Sequence, residues 1–218
     1  MKKITSHTLL ILSAILFSNK ISAQDNSAFE KGTIVATAGY GFPDFHRTSL
    51  RVAYNGYNST KVSGIGPIIL KGDYGIVKFK WGHSVGAGIV IGYNATKIKF
   101  TDTYYDYTGF PYYSYTSRTY TETHSYKTIT IGARGTYHFF TKEKFDCYAS
   151  VGLGFNINTV TRTTDNPGGY STVGTGRSGL YQAFTVGIRY YFTKNIGVYS
   201  ELGWDYSTPI QAGVAIKF

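Results

Sequence analysis

Apolar side chains recur at every second position in several stretches of this chain. In the clearest stretch, 128–140, one set of alternate positions is apolar: Ile129, Ile131, Ala133, Tyr137 and Phe139. The same period recurs in seven further segments: 33–42, 67–76, 84–95, 146–158, 180–192, 196–206 and 210–218. Since successive side chains of a β-strand point to opposite faces, the pattern predicts eight strands, each with one apolar face.

The second face of these segments is small and polar, with Gly, Thr, Ser and single charges of both signs. Only 16% of the residues are charged, whereas about a quarter is typical of a soluble domain. A soluble β-protein would normally place many Lys and Glu on that second face. The pattern therefore favours an all-β, eight-stranded antiparallel transmembrane up-and-down β-barrel, apolar toward lipid and polar inside. A soluble secreted β-domain with a buried apolar face is the alternative.

The predicted connections alternate in length. Those after the second, fourth and sixth strands are short: 77–83, 141–145 and 193–195. Those after the first, third and fifth are long: 43–66, 96–126 and 159–178. This alternation is typical of outer-membrane barrels, whose long loops face outward. The seventh connection, around 207–209, departs from it by being short and makes one side of the outer rim low.

The N-terminus has the layout of a secretory signal peptide. Two lysines follow Met1, an apolar run occupies 9–17, and small or polar residues lead to Ala23. The run is too short to cross a bilayer, which takes about 20 apolar residues. We therefore predict a signal peptide over 1–23 and a barrel domain over 24–218. Removal of the signal peptide lowers the formal charge of the chain from +10 to +7. Because the remaining positive charge is scattered along the sequence, we expect no nucleic-acid partner.

The last strand carries the most specific pattern, apolar residues at alternate positions before a terminal aromatic: Ile210, Ala212, Val214, Ile216 and Phe218. With it, the chain resembles the small eight-stranded outer-membrane barrels of Gram-negative bacteria, of the outer membrane protein X, opacity-protein and OmpA transmembrane-domain type. Gln24 and the Tyr/Gly-rich strands resemble the Bacteroidetes branch. The resemblance implies a monomer in the outer membrane, in contact with its lipid and lipopolysaccharide. It also implies that Ile210, Val214, Ile216 and Phe218 are recognised by the barrel-assembly machinery.

Charged residues fall on the predicted inward face: Lys71, Asp73, Arg134, Arg189, Glu201, Asp205 and Lys217. Buried charges must be paired, because an unpaired one is strongly destabilising. We therefore expect a salt-bridge network in the lumen, with Glu201 and Asp73 against Arg134, Arg189 and Lys217. Such a network could hold the barrel shut, or it could form an ion-selective constriction.

The connection 101–126 contains eight Tyr and seven Thr in 26 residues. Tyr provides large, rigid contact area with a polar tip, as recognition loops favour. The tyrosines that we expect to form a recognition surface are Tyr104, Tyr105, Tyr107, Tyr112, Tyr113 and Tyr115. The segment could bind a host or surface ligand, or pair with a partner strand. It could equally be a β-protrusion without a specific partner, extending the two flanking strands.

Lys97 and Lys99 continue the outward phase of the third strand just above Tyr93. They could contact lipid phosphates, or a bulge could turn them into water. No His lies at a compelling spacing from a nucleophile and an acid, so we expect no enzyme activity. No spacing of His, Asp or Glu suggests a metal, and no motif suggests a cofactor.

These observations predict a structural and surface-interaction protein of the outer membrane, acting in membrane integrity, adhesion or display through its long loops. The alternative is a narrow channel or transporter for ions or small solutes.

Overall fold

Eight long strands form a closed antiparallel ring in the computed structural model, which describes residues 27–108, 114–166, 169, 171–176, 178–205 and 208–218. The elements in chain order are β1 (Ile34–Phe42), α1 (Phe45–Ala53), β2 (Asn58–Lys78), β3 (Ser84–Thr108), β4 (Ser114–Thr141), β5 (Phe145–Thr164), β6 (Thr172–Thr175), β7 (Gly179–Tyr191), β8 (Ile196–Asp205) and β9 (Ile210–Lys217). Neighbours in sequence pair around the ring, and β1 pairs with β9 to close it. The short β6 lies outside the ring and pairs only with β5. The predicted eight-stranded barrel is confirmed.

Alternate side chains of each strand face outward and inward as the sequence period requires. On β7, for example, Phe184, Val186 and Ile188 are exposed while Thr185 and Arg189 are buried. The apolar side chains are therefore the exposed ones, and the polar and charged side chains fill the interior. Among the described residues, no helix is long and apolar enough to cross a membrane.

The two ends of the barrel differ. At one end, referred to below as the turn end, three tight connections join β2 to β3, β4 to β5 and β7 to β8, and both ends of the described chain lie there. At the other, the loop end, β2 to β5 rise above β7 to β9. The short predicted turns are thus present, but much of the predicted loops 43–66, 96–126 and 159–178 is strand. In the segment 96–126, alternating Thr and Tyr residues are compatible with strands that have two polar faces. The pairing of β3 with β4 therefore continues as far as Thr108 and Ser114.

The first loop contains a helix that the strand period did not predict. Asp44 caps α1 by accepting a hydrogen bond from the backbone N–H of Arg47 at 3.0 Å, the usual role of Asp before a first helical turn. A second hydrogen bond joins the buried Asn94 of β3 to Asp44 at 3.0 Å. The helix is therefore fastened to the inner wall at the loop end of the barrel.

Candidate functional site

A chain of ion pairs crosses the middle of the lumen. Glu201 accepts hydrogen bonds from Lys71 at 2.5 Å and from Arg134 at 3.0 Å. Arg134 also approaches Asp73 at 3.3 Å, and Asp73 in turn pairs with Arg189. Positive and negative groups thus alternate, so that each inner member of the chain has a partner of opposite charge on both sides.

This chain of ion pairs ends at two further side chains, which the sequence analysis did not identify. Arg189 reaches Asp146 at 3.3 Å, and Asp146 accepts a hydrogen bond from Nδ1 of His138 at 2.7 Å. Both residues are fully buried. Asp146 faces inward on its strand, at alternate positions with Tyr148 and Ser150. The alternation that predicted the other inward charges therefore also predicts an inward position for Asp146.

Neutral donors complete the surroundings of Glu201. Its carboxylate also accepts from Tyr148 at 2.8 Å and from Thr185 at 3.0 Å. The Tyr148 ring lies 4.3 Å from the guanidinium carbon of Arg189, a cation–π contact. Because desolvating charges is unfavourable unless hydrogen bonds replace the lost water, this saturation explains how the lumen tolerates the ion pairs.

The predicted lumen residues do not all join this chain. Asp205 lies beside it and accepts hydrogen bonds from Tyr181 at 3.1 Å and Gln211 at 2.6 Å. Lys217 keeps the inward phase, but its Nζ lies 4.9 Å from the centre of the Tyr191 ring, near the turn end. In the part of the chain that the structure describes it forms no salt bridge with Glu201 or Asp73. The expected partnership of Lys217 is wrong, because β9 places it too far from the level of Glu201.

Apolar clusters lie on both sides of the ion pairs along the barrel axis. The loop-side cluster contains Ile69, Val90, Tyr181 and Ala183. The turn-side cluster contains Ala28, Phe29, Val35, Tyr191, Tyr199 and Ala215. A cavity of about 10 Å³ remains beside Lys71, Arg134 and Glu201, which is room for about one water molecule. At this level the lumen is filled.

The segment 27–33 enters the barrel from the turn end and acts as a plug. The ring of the fully buried Phe29 stacks on His138, with the ring centres 3.7 Å apart. The backbone N–H of Phe29 donates to Thr141 at 3.2 Å, and Glu30 pairs with Lys78 at 2.8 Å. A Cβ on Gly86 would lie 2.8 Å from Cζ of Phe29, so the wall leaves room for this ring. The sequence analysis did not identify the plug, since no strand period marks it.

An aromatic cluster holds α1 at the loop end. The hydroxyl of Tyr54, just after the helix, lies 2.9 Å from Nδ1 of His124 and 3.2 Å from the hydroxyl of Tyr126. Glu122 lies 3.0 Å from Nε2 of the same His124. Burial, with the Tyr126 hydrogen bond, raises the pKa of Tyr54 to about 12. These contacts join the end of α1 to β4 at the loop end of the barrel.

His46 lies on the first turn of α1, above a loop-end cavity of about 20 Å³ that Asn94 and Thr130 also line. Burial lowers the pKa of His46, and the charge of Asp44 partly offsets this effect. In the described residues, no three His, Cys, Asp or Glu side chains come together as a metal site would require.

The predicted surface tyrosines lie on or near a hairpin formed by β3 and β4. Tyr105 and Tyr115 are exposed, and their rings meet edge to face with centres 5.7 Å apart. Tyr104 and Tyr107 belong to β3, whereas Tyr112 and Tyr113 lie outside the described residues. The ladder to β2 ends at Thr101, and the ladder to β5 ends at Glu122. The hairpin thus continues beyond its neighbours as a two-stranded extension.

The remaining predicted residues face outward. Lys97 and Lys99 are exposed on β3 and alternate with the buried Ile98 and Phe100. The C-terminal apolar side chains are also exposed, at 36–50% of their surface: Ile210, Val214, Ile216 and Phe218.

Comparison with known proteins gives a likeness of fold. No protein-family model and no curated protein matches the chain. The N-terminal β-barrel domain of Pseudomonas aeruginosa OprF is similar at 12% identity and a TM-score of 0.40, covering 87% of this chain and 98% of that one. Ail, the attachment invasion locus protein of Yersinia pestis, is similar at 13% identity and a TM-score of 0.40, covering 86% and 99%. A second Ail structure, in complex with the heparin analogue sucrose octasulfate, has a TM-score of 0.39.

Proposed function

We propose that this protein is an integral outer-membrane barrel that does not conduct and that acts through its loop-end surface. The observation that carries the membrane assignment is the outward apolar band. Leu153 and Phe155 of β5 and Phe184 of the adjacent strand β7 are 58–69% exposed, and the outward apolar side chains of these two strands are continuous along the wall. Soluble monomers rarely expose contiguous apolar patches above a few hundred Å². In a membrane, the hydrocarbon of the lipids would cover these apolar side chains.

Strand length agrees with this assignment. The two strands that carry the low side of the wall, β8 and β9, contain 10 and 8 residues. A tilted membrane-spanning strand needs about 9–11 residues. The low side is therefore about as tall as a bilayer core, and the taller side formed by β2 to β5 has length to spare beyond it.

The closed lumen supports a structural role over a channel. The loop-side apolar cluster, the ion pairs and the turn-side cluster, which includes Phe29 of the plug, occupy successive levels of the barrel. We assign no reaction to the protein. The surface role is assigned to the extension of β3 and β4, whose exposed tyrosines offer a contact surface.

Membrane fractionation with a heat-modifiability gel tests the barrel. We expect the protein in the outer-membrane fraction, and a shift in gel mobility between unheated and boiled samples. Recovery in the soluble fraction without a shift would contradict the proposal. Planar-bilayer recording of the folded protein then tests closure. We expect no steady conductance, and a stable open level would instead establish the narrow channel.

Deletion of 104–120 tests the surface role. We expect weaker binding of cells that display the protein to host cells or abiotic surfaces, with the heat-modifiable shift retained. Deletion of β6 (Thr172–Thr175) is the control, since it shortens another loop-end segment without altering the tyrosines. Unchanged adhesion after the first deletion, or an equal loss after both, would rule out the hairpin as the adhesive element.

A further inference from the structure

Four lysines gather on the outward face of three adjacent strands. Lys61 is on β2, Lys97 and Lys99 are on β3, and Lys127 is on β4, and all four side chains are exposed. Lys61 is the direct cross-strand partner of Lys99. Lys127 is opposite Ala95, which makes it a diagonal neighbour of Lys97. Diagonal pairs lie about 7–8 Å apart, so the four ammonium groups can reach a common space.

This arrangement is unfavourable for the isolated protein. Like charges directly opposite each other on a sheet repel and destabilise it. No described salt bridge links any of these four lysines to a carboxylate. One carboxylate, that of Glu122, occurs in the wall segments around the lysines, and it contacts His124 instead. These segments are 61–65, 95–101, 121–129 and 157–163. The repulsion would be relieved by an external anion.

The lysines begin where the apolar band ends. The outward positions of β3 are apolar or aromatic from Val85 to Tyr93 and stay uncharged at Ala95. That stretch spans roughly 33 Å at about 3.3 Å per residue. At a strand tilt of about 40° it is about 25 Å high, which is the height of the lipid-facing band of such barrels. Lys97 is the next outward residue and therefore stands at the level of lipid headgroups.

Hydroxyl groups surround the lysines on the same face. Ser63 is opposite Lys97 on one side, and Ser125 is opposite it on the other. Thr123 is opposite Lys99, and Thr159 is opposite Lys127. Phosphate oxygens accept hydrogen bonds from hydroxyls as well as from ammonium groups. The face thus combines positive charge with donors, as a phosphate site requires.

We propose that Lys61, Lys97, Lys99 and Lys127 form a binding site for the phosphate groups of a membrane glycolipid headgroup. The inference rests on the proposed function, because it needs the apolar band to lie in lipid. We expect a lipid in this site and not a soluble polyanion, because the lysines are continuous with the lipid-facing band and lie on the outside of the wall.

The test measures binding of diphosphoryl lipid A to the refolded full-length barrel in uncharged detergent micelles, by native mass spectrometry. The variant K61Q/K97Q/K99Q/K127Q removes the site. The matched control, K31Q/K80Q/K142Q/K194Q, removes four exposed lysines at the turn end. Basic residues at a membrane surface each add to anionic lipid binding, so we expect binding about tenfold weaker or more for the site variant and unchanged for the control. Monophosphoryl lipid A should bind less tightly than the diphosphoryl form to the unsubstituted protein.

Three results would overturn the inference. They are equal losses in the two variants, full binding by the site variant, or stronger competition from soluble heparin than from lipid A, which would assign the site to a soluble polyanion. Arginine at the same four positions should retain binding, which separates lost charge from a folding defect. A heat-modifiability gel on every sample keeps the two proposals distinct. If the unsubstituted protein shows no shift, the barrel proposal fails; if all samples shift, only the lipid site is in question.

Discussion

The ring of Phe29 lies almost parallel to the imidazole of His138, at an angle of 10° and a centre-to-centre distance of 3.7 Å. One residue belongs to the segment that enters the barrel, and the other belongs to the wall. Through Asp146, His138 is also linked to the ion pairs of the lumen. The plug and the charged layer are therefore one continuous structure.

Phe29→Ala should destabilise the folded barrel, because it leaves a cavity beside His138 that the wall cannot fill. Large-to-small substitution of a buried Phe typically lowers the free energy of unfolding by about 3–5 kcal/mol. Urea unfolding of the refolded protein in micelles measures the change. Tyr115→Ala is the control, since that ring lies at the exposed hairpin. Equal stability of the two variants would show that Phe29 is not seated as described.

Glu201→Gln should be strongly destabilising, because it leaves Lys71 and Arg134 facing a neutral amide. Breaking a buried ion pair from one side lowers stability by about 3–5 kcal/mol. The double variant K71M/E201Q removes one charge of each sign, while Arg134 keeps Asp73. We expect it to recover part of the loss, and a double-mutant cycle measures the coupling. Strictly additive effects would argue against the ion pair.

Gly187→Ala should disturb the ion pairs around Glu201 for a steric reason. A Cβ at this position would overlap the ring of Tyr148, which donates to Glu201. Overpacking of this kind typically lowers stability by about 1–3 kcal/mol. Gly72→Ala is a matched control on another wall strand, because its Cβ would meet only Ile89, at 3.8 Å. Unfolding midpoints should fall for the first variant alone.

Acidification should loosen α1. The folded protein holds His46 neutral with a lowered pKa, so the unfolded loop binds protons more readily. The contribution of His46 to the stability of this region is complete above the ordinary His pKa of 6.5 and decreases as the pH falls from that value toward the lowered pKa of the folded state. Hydrogen exchange of 43–57, corrected for intrinsic rates, should increase between pH 7.5 and pH 5.5. His46→Gln should flatten this response, whereas His83→Gln at the turn end should leave it unchanged.

The wall of the barrel could be predicted because lipid and lumen demand opposite side chains at adjacent positions. Ile129 and Thr130 illustrate this, since a shift of one residue would exchange their faces. The extensions of β3 and β4 were harder to predict, because Thr and Tyr are compatible with both faces and with a loop. The segments that contain Phe29 and α1 show no alternation of apolar and polar residues. Their positions depend on contacts with distant residues such as His138 and Asn94, which a local pattern does not contain.

The plug also bears on the order of assembly. Segment 27–33 occupies the interior of a ring that exists only once β1 and β9 have paired, and it contacts Ser84 of β3, Thr141 of β4 and Arg189 of β7. It runs directly into β1, so the strand that closes the ring also carries the plug to the mouth of the barrel. We therefore expect the pairing of β1 with β9 to be coupled to the sealing of the turn end.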